Sequence, residues 1–243
     1  MNSIPYRIFV VNFWLLMAIT ATAQSSLTYP DWFFNPPSAV QTAVGYVYDF
    51  TISAYQDGSN RFNGQKRVCI SGQRKHYRNN YGLDFNDNIK LKPLATEWDS
   101  LWTLSYFLLD HDTIILVGTD SCLINKTIID AEKIPKPDWV TRLPSAKGYV
   151  YGIGSGKFRR GIHHRSWSLT DENAIVNCAR SVRLKSSSFL RQTTKGKHTG
   201  QEIVISEDIN VTLKDVQIIK RWLDYEAMTC FSLARGKVLS PGL

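Results

Sequence analysis

One outline occurs twice in this chain. Pro30 to Tyr48 reads PDWFFNPPSAVQTAVGYVY, and Pro137 to Gly156 reads PDWVTRLPSAKGYVYGIGSG. In both, Pro-Asp-Trp is followed seven residues later by Pro-Ser-Ala and then by Gly-Tyr-Val-Tyr, and the period from Pro30 to Pro137 is 107 residues. Three blocks in the same order indicate an internal duplication, so the chain is expected to contain two related domains.

The N-terminus reads as a leader. Met1 to Arg7 is polar with one positive charge, Ile8 to Thr20 is apolar apart from Asn12, and Ala21-Thr22-Ala23 places small residues where a signal peptidase reads. The run is shorter than the roughly 20 apolar residues that cross a bilayer. The expectation is therefore a cleaved signal peptide over residues 1–23, Gln24 as the mature N-terminus, and export to the periplasm or cell surface of a Gram-negative bacterium. No cysteine stands near the cut, which argues against a lipid-anchored N-terminus, and the rest of the chain has no run long enough to span.

Of 243 residues, 220 then remain, and the repeat divides them into a first domain over 24–134 and a second over 135–243. About 110 residues is enough for a core without staples. At 43% hydrophobic and 21% charged the composition is globular. Charge is unevenly divided. Gln24 to Ile134 has ten Lys or Arg against twelve Asp or Glu, whereas Pro135 to Leu243 has eighteen against nine. The basic half points to an anionic partner such as an envelope lipid or glycan, and export disfavours nucleic acid.

In the first copy, Tyr29 to Pro37 is proline-rich and expected to be extended. Gly45 to Tyr55 alternates Tyr46, Tyr48, Phe50 and Ile52, a strand pattern, and Asp57-Gly58-Ser59-Asn60 reads as a turn. Arg61 to Tyr77 is assigned a helix with sparse apolar positions, weakened by Gly64 and Gly72. Tyr81 to Pro93 reads as loop or irregular strand. Its Asp84, Asn86 and Asn88 resemble the start of a calcium loop, but Ile89 and Ala95 stand where glycine and glutamate are needed. Leu101 to Leu109 and Asp112 to Thr119 form a hairpin by alternation and β-branched content, and Ile124 to Ile134 is the connection.

In the second copy, Gly148 to Gly154 repeats the aromatic strand. Gly152, Gly154 and Gly156 are spaced Gly-x-Gly-x-Gly, not the Gly-x-Gly-x-x-Gly of a dinucleotide loop, and a basic stretch rather than a helix follows, so no cofactor is expected. Ser168 and Asp171 fit a capping box opening a helix whose apolar face is Ala174, Ile175, Cys178, Ala179 and Val182, with Arg180, Arg183 and Lys185 opposite. Ser186 to Gly200 reads as loop and Gln201 to Ser206 as strand. Val216 to Leu223 and Ala227 to Ala234 make a second hairpin, and both hairpins turn just after Leu-Asp. The fold class is thus α+β in two tandem repeats, each a helix packed on a small antiparallel sheet.

Pro-Asp-Trp, Tyr-Gly-Ile-Gly-Ser (151–155), the helix bearing Ala174, Cys178 and Ala179, and the late Arg-Trp-Leu-Asp (221–224) together resemble the Lpp-twenty family of bacterial envelope lipoproteins. The resemblance covers most of Pro137 to Lys237 and, more faintly, Pro30 to Thr119. It implies small α+β units with a dodecin-like core, a helix wrapped by a three-stranded antiparallel sheet, and it carries over no catalytic residues. This chain departs from the family in lacking the lipidation cysteine and in carrying two units.

Four cysteines, Cys69, Cys122, Cys178 and Cys230, stand two to a domain. In an oxidising compartment they are either two disulfides within the copies, Cys69 with Cys122 and Cys178 with Cys230, or four buried thiols. A cationic loop, Lys157, Arg159, Arg160, His163, His164 and Arg165, is the binding candidate, against the reading of a solvated basic loop. Adjacent histidines of a strand point to opposite faces, so no metal site is expected. Gly154-Ser155-Gly156 lacks the spacing of a nucleophile elbow. The expectation is a non-enzymatic, envelope-associated binding or assembly protein. The alternative is a hydrolase of envelope polymers, supported only by Asp110 and Asp112.

Overall fold

The computed structural model describes residues 27–38, 40–48, 51–79, 82–94, 101–109, 111–119, 124–186 and 202–239. The expected leader, Asp110 and Cys122 lie outside the described residues. In chain order the elements are β1 (Thr28–Pro30), α1 (Asp31–Phe34), β2 (Thr42–Tyr48), α2 (Thr51–Lys66), β3 (Arg67–Asn79), β4 (Gly82–Pro93), β5 (Trp102–Leu109), β6 (Asp112–Gly118), β7 (Ile128–Asp130), β8 (Val150–Lys157), α3 (His163–Ser186), β9 (Glu202–Asp224) and β10 (Thr229–Val238). Short 3-10 turns occupy Ala131–Lys133 and Asp138–Val140. The fold is α+β, and every strand pairing is antiparallel. Among the described residues no helix is long and apolar enough to cross a membrane.

Two sheets carry the architecture. One is three-stranded in the order β2-β6-β5, and the other five-stranded in the order β4-β3-β9-β10-β8. Each half has a strand, a helix and a later hairpin whose second strand pairs with the first strand, β2 with β6 and β8 with β10; in the first half the β3–β4 hairpin intervenes and joins the larger sheet. The larger sheet crosses the midpoint of the chain. Strand β3 from before Ile134 pairs along its length with β9 from after it, Arg67 opposite Lys214 and Ile70 opposite Val211. The boundary expected at Ile134 therefore does not separate two independent sheets.

The strand expected from Gly45 is present as far as Tyr48, in β2, but from Thr51 helix α2 and strand β3 replace the rest of it and the turn and helix expected up to Tyr77. Ala54, Gly58 and Phe62 recur every four residues and face β2 and β6. A Cβ on Gly45 would collide with the Ala54 carbonyl oxygen, so helix and strand touch backbone to backbone. Gly58 looks like a turn residue in the sequence, yet in the fold it is the point of closest approach. The close contact offsets the roughly 1 kcal/mol that an interior helical glycine costs relative to alanine. Strand β3 forms because it has ladder partners on both sides, β4 and β9, which local helical propensity does not register. Tyr81 to Pro93 is correspondingly a regular strand from Gly82.

Helix α3 begins at His163, five residues before the expected cap at Ser168. Its first turn is capped from a distant strand: the Asp112 carboxylate accepts the His164 backbone N–H at 2.8 Å. Ser168 is interior. The segment expected to be extended from Tyr29 contains the turn α1, and its Trp32, Phe33 and Phe34 are buried. They join Tyr29, Tyr46, Ile114, Leu116, Phe158, Trp167 and Leu223 in a core drawn from both halves. Phe33 meets Trp167 edge-on at 5.1 Å. The second copy of Pro-Asp-Trp also opens a helical turn, Asp138–Val140, but buries none of its residues.

Candidate functional site

A buried polar cluster lies where the halves meet. Arg221 interrupts the apolar run of β9, and Asp171 sits one turn before Ala174 on the buried face of α3. Arg221 donates to Asp171 through Nε at 3.1 Å and Nη2 at 2.7 Å. Asp171 also accepts from the Tyr46 hydroxyl at 2.8 Å and from Ser232 Oγ at 2.6 Å. The third guanidinium nitrogen, Nη1, donates to the Phe33 carbonyl at 2.9 Å, and the plane lies over the Phe33 ring with Cζ 4.8 Å from its centroid. Arg221 and Asp171 side chains are 1% and 6% exposed. Burial opposes the charge on Arg221, but Asp171 and Tyr46 outweigh it and hold the guanidinium above its usual range. Burial, with Asp171 alongside, pushes the Tyr46 phenol well up despite Arg221.

A second pair flanks the first. Arg61 on α2 donates through Nε to Asp57 at 2.7 Å and through Nη2 to Ser168 Oγ at 2.7 Å, and its Nη2 is 4.0 Å from Glu172. Asp57 also accepts the Tyr46 backbone N–H at 2.9 Å. Burial works against the Arg61 charge, and Asp57 more than compensates.

Next to these pairs opens a cavity of about 620 Å³, within the size range of small-molecule sites, roughly 300–1,000 Å³. It lies between β2, α2, the β3–β4 hairpin, α3 and β9, so both halves wall it. Val44, Val68, Ile89, Leu91, Ile175 and Val216 make the apolar walls, and Arg61, Asp171, Glu172 and Arg221 the polar side. The geometry defines a closed set of paired charges beside an apolar hollow.

The residues expected from the sequence are distributed differently. Lys157, Arg159, Arg160 and Arg165 are exposed, and Arg160 contacts the Tyr225 hydroxyl and ring. Acids are close by: Asp224 is opposite Thr229, which is opposite Lys157, and Tyr225 has Glu132 beside it as well as Arg160. The two histidines are not loop residues. His163 is buried with its ring 5.0 Å from Phe158, and His164 meets Asp112 through Nδ1 at 2.8 Å. Both open α3, where successive residues are about 100° apart rather than opposite.

Cys69, Cys178 and Cys230 are free thiols, so the Cys178–Cys230 bridge is not formed. Cys230 packs near Thr170, while Cys178 lies eight residues further along α3 against Gly152. At about 1.5 Å per residue that is roughly 12 Å along the helix, beyond the reach of a disulfide. Burial pushes both thiols up, which keeps them protonated and unreactive. Cys69 is partly exposed on β3. Among the described residues no cluster of three or more His, Cys, Asp or Glu side chains could hold a metal ion.

The sequence reading missed the Asp171–Arg221 pair, although both residues were on view. In the sequence alone Asp171 reads as part of a cap and Arg221 as part of a hairpin. An arginine inside an apolar strand run needs a buried acid, and Asp171 is the acid on the apolar face of α3. Comparison with protein-family models, curated proteins and solved structures gives no match to this chain.

Proposed function

We propose that the chain is an exported, envelope-associated binding protein with no catalytic activity, and that its ligand occupies the cavity at the junction of the halves. The observation that carries this reading is the combination of an apolar hollow with polar neighbours that are already committed to one another. Asp171 accepts four hydrogen bonds and Arg221 uses all three nitrogens. A general base or nucleophile needs spare capacity, and a receptor floor does not. The leader-like N-terminus supports export. The common order of strand, helix and hairpin in the halves supports origin by tandem duplication of an Lpp-twenty-like unit. The exposed cations around Lys157 to Arg165 are an orienting surface in this reading, since Glu132 and Asp224 lie near them.

The hydrolase alternative has one observation in its favour. Asp112 is buried and holds His164 by Nδ1, the way an acid orients a catalytic imidazole. Among the described residues, however, no hydroxyl or thiol is hydrogen-bonded to His164, and Asp112 also caps α3.

Fluorescence titration of the purified full chain with the neutral apolar probe N-phenylnaphthylamine tests the binding reading. Saturable binding is expected, with loss of at least about 10-fold in affinity when Ile175→Trp fills the cavity while the near-UV dichroism is kept. No saturable binding, or equal binding by a folded Ile175→Trp variant, would count against it.

A further inference from the structure

We infer that the cavity selects an uncharged amphiphile, a hydrocarbon chain ended by an alcohol, ester or amide, over a fatty acid or an alkylamine. This rests on the cavity being the ligand site, and it follows from how its charges are arranged. Each buried cation already has a carboxylate: Arg221 has Asp171 at 2.7 Å and Arg61 has Asp57 at 2.7 Å. Both guanidiniums stay charged, held by these acids against their burial. Among the described lining residues, the charges on the buried side of the hollow are all paired, and the one cation without a carboxylate, Lys90, is out in solvent. The less buried charges of the lining come as an opposed pair, Glu172, whose side chain is 46% exposed, at 4.0 Å from Arg61, so a carboxylate that nears Arg61 also meets Glu172. An ammonium that nears Glu172 likewise meets Arg61.

An ionised group moved from water into such a place loses its hydration with no countercharge in return. A hydroxyl or amide loses far less, and recovers it from hydrogen bonds to Thr42, Asn60 or Glu172 along the polar side. Lys90 also lines the cavity, but it is solvent-exposed on β4, where water and salt screen it. The apolar walls, Val44, Val68, Ile89, Leu91, Ile175 and Val216, accept a chain and offer it no polar partner. The volume of about 620 Å³ suits one such chain, not an extended glycan.

The test is competition at neutral pH. The full chain is loaded with N-phenylnaphthylamine, and oleyl alcohol, oleate and oleylamine are titrated separately below their aggregation thresholds. Oleyl alcohol is expected to displace the probe with an apparent Kd at least about 10-fold below that of either ion. In the Glu172→Gln variant, the preference for oleyl alcohol over oleate is expected to narrow a few-fold. Displacement by oleate or oleylamine as tight as that by the alcohol would overturn the selection of a neutral ligand while leaving the cavity as a binding site. Absence of any probe binding would overturn the binding site itself, and the selection with it.

Discussion

The two halves lay out their elements alike and use them differently. In the first, Pro-Asp-Trp delivers Trp32, Phe33 and Phe34 into the shared core; in the second, Asp138–Val140 buries nothing. In the first, Gly45 is in mid-strand against Ala54 and Gly58; in the second, the motif glycine Gly148 is in a turn with φ +81 and open space around it, and Gly152 and Gly154 take over the contact with the helix. The motif is the same and the strand register has slipped. Both halves seat a helix directly on a strand, and a different glycine permits it in each. The first half supplies the aromatic plug and Tyr46, and the second supplies Asp171, Arg221 and Trp167. Neither half closes its own seam.

The sharpest way to break this comparison is to remove one partner of the seam pair. Asp171→Ala leaves Arg221 buried without its counterion, and Arg221→Met leaves Asp171 so; each is expected to cost about 3–5 kcal/mol in denaturant unfolding. The double substitution Asp171→Leu with Arg221→Met removes both charges, and is expected to cost less than the sum of the single changes and to show strong coupling in a double-mutant cycle. Additive costs would mean that Asp171 and Arg221 do not act as a pair across α3 and β9.

The repeated tryptophans come next. Trp32 is 1% exposed, and Trp32→Ala is expected to cost about 3–5 kcal/mol. Trp139 occupies the same place in the motif on a turn with no buried residue, so Trp139→Ala should cost about 1 kcal/mol or less. Chemical denaturation of both variants side by side reads the difference. Equal costs would put the second Pro-Asp-Trp turn in a packed role.

The two motif glycines separate in kind as well as size. Gly45→Ala places a methyl group on the Ala54 carbonyl, and overpacking of this sort costs about 1–3 kcal/mol. Gly148→Ala meets no atom within 4 Å and costs only the left-handed backbone, about 1 kcal/mol. Gly148→Asn, which tolerates that backbone, should recover part of its loss; Gly45→Asn should worsen it.

How far the fold could be read beforehand follows from where each signal is stored. The β5–β6 and β9–β10 hairpins were legible because alternation and turn residues are local. The apolar face of α3 was legible too, since Ala174, Cys178 and Ala179 recur at helical spacing. Helix α2 was not, because its buried stripe is only Ala54, Gly58 and Phe62, and two of these three are small residues seated close to the β2 backbone. Strand β3 was misread because what makes it a strand is β9, whose paired residue Leu213 is far along the chain from Val68. The start of α3 was misplaced for the same reason: its cap, Asp112, comes from another element. The site was hidden by distribution. Tyr46, Arg61, Asp171 and Arg221 are each ordinary in their own segments, and only the seam assembles them.

The smallest effect expected is on pH dependence, and it distinguishes the halves by their thiols. Cys178 and Cys230, both in the second half, are pushed up by burial, whereas an unfolded cysteine ionises near about pH 8.5. Below that pH both states hold the thiol proton and the term is constant. As pH rises above it, the unfolded chain loses protons that the folded chain keeps, so stability falls with a slope of up to one proton per thiol. Tyr46 adds a like term above about pH 10, where an unfolded phenol ionises. Replacing Cys178 by alanine is therefore expected to flatten the decline of stability between about pH 8.5 and 10 by up to one proton, measured as denaturation midpoints across that range. An unchanged slope would mean that the thiol is exposed enough to ionise in the folded protein, which would place the α3–β8 contact at Gly152 in a looser arrangement than the close packing around Gly45.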